Sequence, residues 1–249
     1  MRISFDSNAW EQVFRSDTQE YATIRSALVA RKVEGVICEA AFRIEAVRKK
    51  ERVAYFAQPH MEVSFPWRIV ERDGEQYVHL MSIGPADHAH PGLPEVQAER
   101  LKLAMSAGIR LMRGLAWMGL PSPSEISNSE AFLQETESER NEREQRQIDV
   151  SAEIWGRKVG KQAFDAMGGW QAIRRGQLHE KRFAKACAEW ADGELAAAHV
   201  AYRNDILCTE DRAVAAGVSI FDRSHRSWLA TEYGVRFASL KDVAAIVGA

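Results

Sequence analysis

The stretch Ile3-Ser4-Phe5-Asp6-Ser7-Asn8 (ISFDSN) opens the chain with an apolar run that ends on an acid. Residues 2–5 predict a short buried strand, and a helix is predicted from about residue 11. Residues 36–38 (VIC) predict a second buried strand, and residues 39–52 predict another helix with an apolar side. The first part of the chain therefore alternates strand and helix.

The last third returns to the same alternation. Residues 184–202 are predicted helical, as two helices that meet at Asp192 and Gly193. A strand follows at residues 205–209 (DILCT), and a further strand at residues 235–237 precedes a helix at residues 240–247. Strands that alternate with helices at both ends of a chain favour helices on both faces of a parallel sheet. We therefore predict a three-layer α/β/α fold with a mostly parallel central sheet.

The middle of the chain has a different pattern. Residues 62–70 and 76–83 alternate apolar and polar side chains around the turn Arg72-Asp73-Gly74-Glu75, which predicts a hairpin. Residues 96–118 predict a helix. Residues 135–146 mix glutamate and arginine, as in a solvated helix. We predict one domain over residues 1–249, in which residues 56–180 are an inserted hairpin and helical region or cap.

The composition excludes several classes of protein. With 249 residues and 46% hydrophobic content, the chain can bury one sizeable core. No run of about 18 apolar residues is present, so we expect no membrane span. A net charge of -2 excludes a strongly basic nucleic-acid-coating protein, although a nuclease needs only a local basic track. Three widely spaced cysteines without a CxxC pair indicate buried thiols in a reducing cytoplasm.

Acids follow the predicted strands. Asp6 ends the first strand, Glu39 follows the second, and Asp211 lies just beyond the DILCT strand. Because the carboxyl ends of parallel strands share one rim of the sheet, we expect these carboxylates to lie near each other. Asp192 is predicted at the start of the helix that leads to the same rim. Glu45 lies two turns along the helix after the second strand.

A group of carboxylates on one rim predicts a bound cation. Two unit charges about 4 Å apart repel by roughly 4 kcal/mol at an effective dielectric constant near 20, so the cluster must take up protons or a cation. Oxygen ligands without cysteine or ordered histidine favour Mg²⁺ or Mn²⁺. Such an ion can activate water and neutralise charge on a phosphodiester.

The same positions resemble the PIN-domain family of ribonucleases. ISFDSN is similar to the first PIN strand, which runs into Asp-Thr/Ser-Asn. The resemblance covers roughly residues 1–55 and 180–249. Three further segments carry it: VICEAAFRIEAV from Val36, DGELAAAH through DILCTED from Asp192, and YGVRFASLKDVAAI from Tyr233.

The resemblance implies an endoribonuclease that needs Mg²⁺ or Mn²⁺ and takes RNA as its substrate. The PIN family also includes toxins of toxin–antitoxin pairs, for which an antitoxin would be a partner. The span between Glu45 and Asp192 is far longer here than in compact PIN toxins. The position of the second acid is ambiguous. Ile44 stands where the resemblance places this acid, and Glu39 and Glu45 both lie close to that position. The residues that the resemblance implies are the metal-binding and catalytic acids Asp6, Glu45, Asp192 and Asp211, with Asn8, Thr209 and Glu39 in supporting or substrate-contacting positions.

Two other functions compete with this one. A PIN-fold scaffold would bind RNA or protein without cutting, through the charged helix and the hairpin; in an enzyme the same elements could shape a substrate groove or a homodimer contact. A haloacid-dehalogenase-type phosphatase also begins with a strand that ends in Asp. That chemistry needs a second Asp two residues later, where this chain has Asn8, so the phosphatase is disfavoured.

Overall fold

The computed structural model describes the chain apart from residues 58–60, 65–67, 73, 80–81, 86–89, 116–119, 177–178, 212–218 and 249. Its strands are β1 (Arg2–Phe5), β2 (Glu34–Cys38), β3 (Met61–Ser64), β4 (Arg68–Arg72), β5 (Glu75–His79), β6 (Ser82–Pro85), β7 (Arg110–Met112), β8 (Ile206–Cys208) and β9 (Phe237–Ala238). Its α-helices are α1 (Ser7–Arg15), α2 (Gln19–Val29), α3 (Lys49–Ala57), α4 (Glu95–Ser106), α5 (Glu137–Gly156), α6 (Lys161–Ala166), α7 (Gly169–Arg174), α8 (Glu180–Ala201), α9 (Arg223–Tyr233) and α10 (Leu240–Gly248).

The main sheet has five parallel strands in the order β7-β2-β1-β8-β9. The central strand β1 pairs with β2 on one side and with β8 on the other, so that Ser4 lies between Val36 and Leu207. This confirms an α/β fold with a parallel sheet.

Helices cover both faces of this sheet. Ile3 and Phe5 of β1 pack in a core with α1, α2, α4 and α10. Ser4, between them, faces the opposite side, where its hydroxyl lies 2.8 Å from Nδ1 of His199 on α8. The larger core on that side joins α3 and α5 to α9. Successive side chains of β1 thus point to opposite faces of the sheet and pack in two different cores, as expected for a buried parallel strand.

Part of the range 56–180, which is predicted as an insertion or cap, belongs to the main sheet. The range includes β7, which pairs with β2 and forms an edge of the sheet, and α4, which packs against α1. The predicted hairpin is present as β4 and β5, and β3 pairs with β6 in a second two-stranded antiparallel sheet. A single helix over residues 96–118 is wrong, because Gly108, at φ +98°, ends the turn after α4.

The described part of the chain contains no helix with both the length and the apolar character needed to cross a bilayer. The cysteines Cys38, Cys187 and Cys208 are free and buried.

Candidate metal centre

The candidate site lies where the strand order of the sheet reverses. Counted along the chain, the five parallel strands stand in the order 3-2-1-4-5, and the first and fourth of these, β1 and β8, are neighbours. The chain leaves them in opposite directions, which opens a crevice beyond their carboxyl ends where open α/β sheets bind ligands. Asp6 follows β1 directly and Thr209 follows β8.

Asp6 is held in place by three donors and is only 2% exposed. It is the N-cap of α1, and its Oδ1 accepts a hydrogen bond of 2.6 Å from the amide of Ser7 and a longer one of 3.3 Å from the Ser7 hydroxyl. Its Oδ2 accepts a hydrogen bond of 2.7 Å from the Thr209 hydroxyl. The helix cap and the site therefore use the same carboxylate.

Glu45 reaches the site because the chain forms a π-helical turn over Ala41–Glu45. The amide of Ala46 donates to the carbonyl of Ala41 at 3.0 Å, five residues back, so the turn is wider than an α-helical one. Ile44 is fully buried in the core, and Glu45, one residue later, faces the crevice. The wide turn explains why the acid that faces the crevice is Glu45, one residue after the position expected from the resemblance.

Asp192 completes this group from the middle of α8, rather than from the start of a helix as predicted. Gly193 does not divide the segment, since α8 runs unbroken over Glu180–Ala201. Asp6, Glu45 and Asp192 line one cavity of about 10 Å³ together with Ser7; its apolar lining is Phe5, Cys38, Ala41, Ala191 and Leu195. A cavity of this size holds about one water molecule or one small ion.

The carboxylates of the cavity disfavour one another's charge. Burial raises the pKa of Asp6 above its ordinary value, against the effect of the Thr209 hydrogen bond. Burial and then the nearby Asp6 raise the pKa of Glu45 to about 7. Burial, followed by the charges of Asp6 and Glu45, raises the pKa of Asp192 well above its ordinary value. The cavity therefore favours protons or a cation.

The donor set fits a hard divalent cation, although the side chains are not yet arranged around one point. Within the described residues, none of the carboxylates of Asp6, Glu45 and Asp192 forms an ion pair with Lys, Arg or His. The same part of the chain holds no set of three Asp, Glu, His or Cys side chains placed to share an ion as they stand. Binding would thus require the carboxylates that line the cavity to rearrange.

Glu39 has a different environment from Glu45. Its side chain is 2% exposed, accepts a hydrogen bond of 2.9 Å from the amide of Gly114, and lies 3.5 Å from Nη1 of Arg43. It does not line the cavity. The structure therefore brings Glu45, and not Glu39, beside Asp6 and Asp192.

The remaining predicted residues lie around the cavity or outside it. Thr209 is buried and contacts Asp6, as described above. The amide of Asp211 donates to Oγ1 of Thr209 at 3.0 Å, and the carboxylate of Asp211 is partly buried and close enough to raise the pKa of Asp6 and Asp192. Asn8 is exposed on the first turn of α1 and does not line the cavity.

Two residues near the cavity were not predicted. Ser7 contacts Asp6 and lines the cavity. Glu189, three residues before Asp192 on α8, is 6% exposed and raises the pKa of Asp192. The spacing of three residues between Glu189 and Asp192 places both acids on one side of a helix. That spacing is the feature of the sequence that could have identified Glu189.

Comparison with protein-family models, with curated proteins and with solved structures gives no match to this chain.

Proposed function

We propose that this protein is a Mg²⁺- or Mn²⁺-dependent endoribonuclease. The observation that carries the proposal is the convergence of Asp6, Glu45 and Asp192 on one cavity at the switch point of a parallel sheet. Three elements distant in sequence supply these acids. Asp6 is buried, Glu45 and Asp192 are partly buried, and each carboxylate carries a charge penalty. Such a penalty is hard to explain by packing alone, since an uncompensated buried charge destabilises a fold.

A basic groove beside the acids supports a polyanionic substrate. The groove has a volume of about 630 Å³, begins at Glu45 and runs between α3 and the first half of α8. Lys50, Lys181 and Lys185 on its walls are exposed. Exposed lysines next to a metal centre provide the contacts to phosphates that position a nucleic acid without reading its sequence.

Arg52 has a structural role in the same groove. Its side chain is 6% exposed and donates hydrogen bonds to the carbonyls of Val47 at 2.8 Å, Ala184 at 3.3 Å and Glu45. It thereby ties α3 to α8 and fixes the backbone of Glu45. The phosphate contacts are therefore assigned to the lysines.

In the proposed mechanism each residue has a separate task. Asp6, Glu45 and Asp192 would hold the ion, and Thr209 and the first turn of α1 orient the carboxylate of Asp6. The ion, when bound, supplies an activated water and neutralises charge on the scissile phosphate. Water then attacks phosphorus, and the bond to the leaving ribose oxygen breaks. One product ends in a phosphate and the other in a hydroxyl.

The choice of RNA rests on the resemblance of ISFDSN and DGELAAAH to PIN-type ribonucleases. The test uses end-labelled single-stranded RNA, double-stranded RNA and single-stranded DNA, each with Mg²⁺, Mn²⁺ or EDTA. We expect cleavage of single-stranded RNA that needs the ion. Asp6→Asn combined with Asp192→Asn should reduce the rate by about 100-fold or more, because both carboxylates line the cavity that would hold the ion. Asp17→Asn, at an exposed acid outside the site, is the matched control.

Three outcomes would overturn the proposal. The double variant could cut as fast as the parent, the products could carry a 2′,3′-cyclic phosphate, or DNA alone could be cut. Binding of RNA without cleavage under any of these conditions would favour the scaffold.

A further inference from the structure

A cavity lined by tryptophan lies outside the candidate metal centre. Its volume is about 640 Å³, within the range of about 300–1,000 Å³ that is usual for small-molecule sites. Residues of α5, α6, α7 and α8 form its walls. The apolar side chains on these walls are Leu115, Ile148, Ala152, Trp155, Trp170 and Trp190. The cavity therefore has the size and the apolar character of a site for a small organic molecule.

This cavity and the metal centre use different faces of α8. Trp190 and Glu194, four residues apart, line the cavity. Ala191, Asp192 and Leu195 line the metal centre instead. Residues four apart share a face of a helix, whereas adjacent residues do not. The two sites therefore share one helix but none of the residues that line them.

Two large apolar side chains on the cavity wall are in contact with solvent. Ile148 is 48% exposed and Trp155 is 52% exposed. They lie seven residues apart on α5, with Ala152 between them, so all three share one face of that helix. A group of exposed apolar side chains on the wall of a cavity is typical of a binding surface. A ligand in the cavity would remove the indole of Trp155 from water.

The charges on the cavity walls disfavour an anion. Lys161 is the one basic residue among the described residues that line the cavity, and its Nζ lies 2.8 Å from each carboxylate oxygen of Asp165. Glu194 adds a second carboxylate. The walls thus carry two carboxylates and one ammonium group, and an anionic ligand would meet an excess of negative charge.

The indole rings of the cavity favour a cation, and the protein already places one against them. The Nζ of Lys161 lies 5.6 Å from the ring centroid of Trp190, within the distance of about 6 Å at which a cation and an aromatic face attract each other. Trp170 stands at 76° to Trp190, with 6.2 Å between the ring centroids, and Trp155 lines the same cavity from α5. Aromatic rings arranged around one space recognise organic ammonium ions.

We propose that this cavity binds an organic ammonium ion with an apolar body. The positive charge would lie against the indoles of Trp155, Trp170 and Trp190, where Asp165 and Glu194 add to the attraction. The apolar body would cover the exposed side chains of α5. This inference depends neither on the proposed metal centre nor on the proposed nuclease activity.

Three benzyl compounds that differ in the charge of the head group test the inference. Benzyltrimethylammonium is the cation, benzyl alcohol the neutral compound and phenylacetate the anion. Each is titrated by calorimetry into the full chain without metal or RNA. We expect benzyltrimethylammonium to bind about fivefold or more tightly than benzyl alcohol, because a cation over an aromatic face contributes roughly that factor. Phenylacetate should bind most weakly.

Substitutions on two walls separate the effect of the rings from the effect of charge. Trp155→Ala should weaken the binding of benzyltrimethylammonium by about tenfold, whereas Trp155→Phe keeps an aromatic face and should bind within a few-fold of the parent. Asp165→Asn leaves the charge of Lys161 uncompensated. In this variant we expect weaker binding of benzyltrimethylammonium and stronger binding of phenylacetate.

Ile246→Ala is the matched control, because Ile246 is 42% exposed on α10 and does not line the cavity. Its affinity for benzyltrimethylammonium should equal that of the parent. Thermal unfolding confirms that each variant is folded before titration.

The inference is overturned if the folded parent binds none of the three compounds, or if it binds benzyl alcohol or phenylacetate as tightly as benzyltrimethylammonium. Unchanged binding of the cation by folded Trp155→Ala would also overturn it. Its failure is distinct from failure of the proposed function, since the titrations contain neither metal nor RNA. A chain that binds the cation and leaves RNA intact would support the inference and contradict the nuclease.

Discussion

The hydroxyl of Thr209 donates a hydrogen bond of 2.7 Å to Oδ2 of Asp6 and so links the ends of β8 and β1 at the switch point. The same hydroxyl oxygen accepts a hydrogen bond of 3.0 Å from the amide of Asp211. Thr209 thus orients one acid with its hydrogen and the backbone of another with its lone pair. The residue is a positioning group for the carboxylates.

Thr209→Val is expected to weaken Mn²⁺ binding without removing a ligand. Valine keeps the shape of the side chain but leaves Oδ2 of Asp6 and the amide of Asp211 without their partner. Loss of an outer partner of a metal ligand typically costs about 10- to 100-fold in affinity. Thr209→Ser keeps the hydroxyl and should bind within a few-fold of the parent. Calorimetry measures both; equal affinities for Val and Ser would contradict the positioning role.

Glu45 should give the metal-free protein a pH dependence of stability. Its pKa is about 7 in the folded protein and is raised from 4.5. Between these pH values the folded protein retains a proton that the unfolded chain has lost. Glu45 therefore makes the free energy of unfolding fall as pH rises from about 4.5 to about 7, and its effect is constant above that range.

In Glu45→Gln this contribution is absent. The stability of the variant relative to the parent should increase over the same pH range by up to about 1.4 kcal/mol per unit. Urea unfolding in the presence of a chelator at several pH values measures the difference. Glu99→Gln, at an exposed position of α4, is the control. Parallel stability profiles for Glu45→Gln and the parent would contradict the raised pKa.

Glu39 and Glu45 should respond differently to the same substitution. Glu39→Gln keeps an acceptor for the amide of Gly114 but removes the negative charge beside Arg43, so we expect lower stability and unchanged Mn²⁺ affinity. The stability loss should be about 1–3 kcal/mol, because the substitution disturbs a buried charged contact. Glu45→Gln should lower the Mn²⁺ affinity instead. Calorimetry measures the Mn²⁺ affinity of both variants, and thermal unfolding measures their stability. Loss of Mn²⁺ binding in Glu39→Gln would show that Glu39, and not Glu45, is the metal-binding acid.

The sequence predicted the strand-ending positions of this site better than the helical ones. Asp6 and Thr209 follow buried strands, so alternation and chain order were enough to bring them to one rim. Glu45 depended on a π-helical turn, which shifts the spacing by one residue and has no signature in hydrophobic periodicity. Asp192 was predicted at the rim because a helix was expected to begin there, yet it lies in the middle of the continuous helix α8.

The strand β7 was missed for a related reason. β7 has three residues and follows α4 after a short turn, so a window over residues 96–118 looks helical throughout. Only the parallel pairing of Ile37 with Leu111 identifies this segment as a strand. Local periodicity carries no information about pairing between residues far apart in the sequence, and strand formation depends on that pairing.

Gly193→Ala should destabilise the protein although alanine favours helices. A Cβ at this position would lie 3.0 Å from Cα of Gly160, where α8 approaches the turn before α6. Overpacking of this kind costs about 1–3 kcal/mol, against a gain in helix propensity of about 1 kcal/mol.

Gly156→Ala is the control for that substitution, because nothing lies within 4 Å of the added Cβ at the end of α5. It should be neutral or slightly stabilising. Urea unfolding measures both variants. Equal stabilities of Gly193→Ala and the parent would show that α8 can shift away from Gly160.

Reversal of charge in the basic groove should weaken RNA binding without affecting the metal. Lys50 and Lys181 are exposed on opposite walls, on α3 and α8. In Lys50→Glu with Lys181→Glu, we expect RNA affinity to fall by about tenfold or more at low salt, and its dependence on salt concentration to become less steep, because fewer counterions are released. Lys241→Glu, on the exposed side of α10, should leave the salt dependence unchanged. Fluorescence anisotropy over a salt series, in the presence of Ca²⁺ to limit cleavage, measures this slope. An unchanged slope in the double variant would place the RNA path elsewhere on the protein.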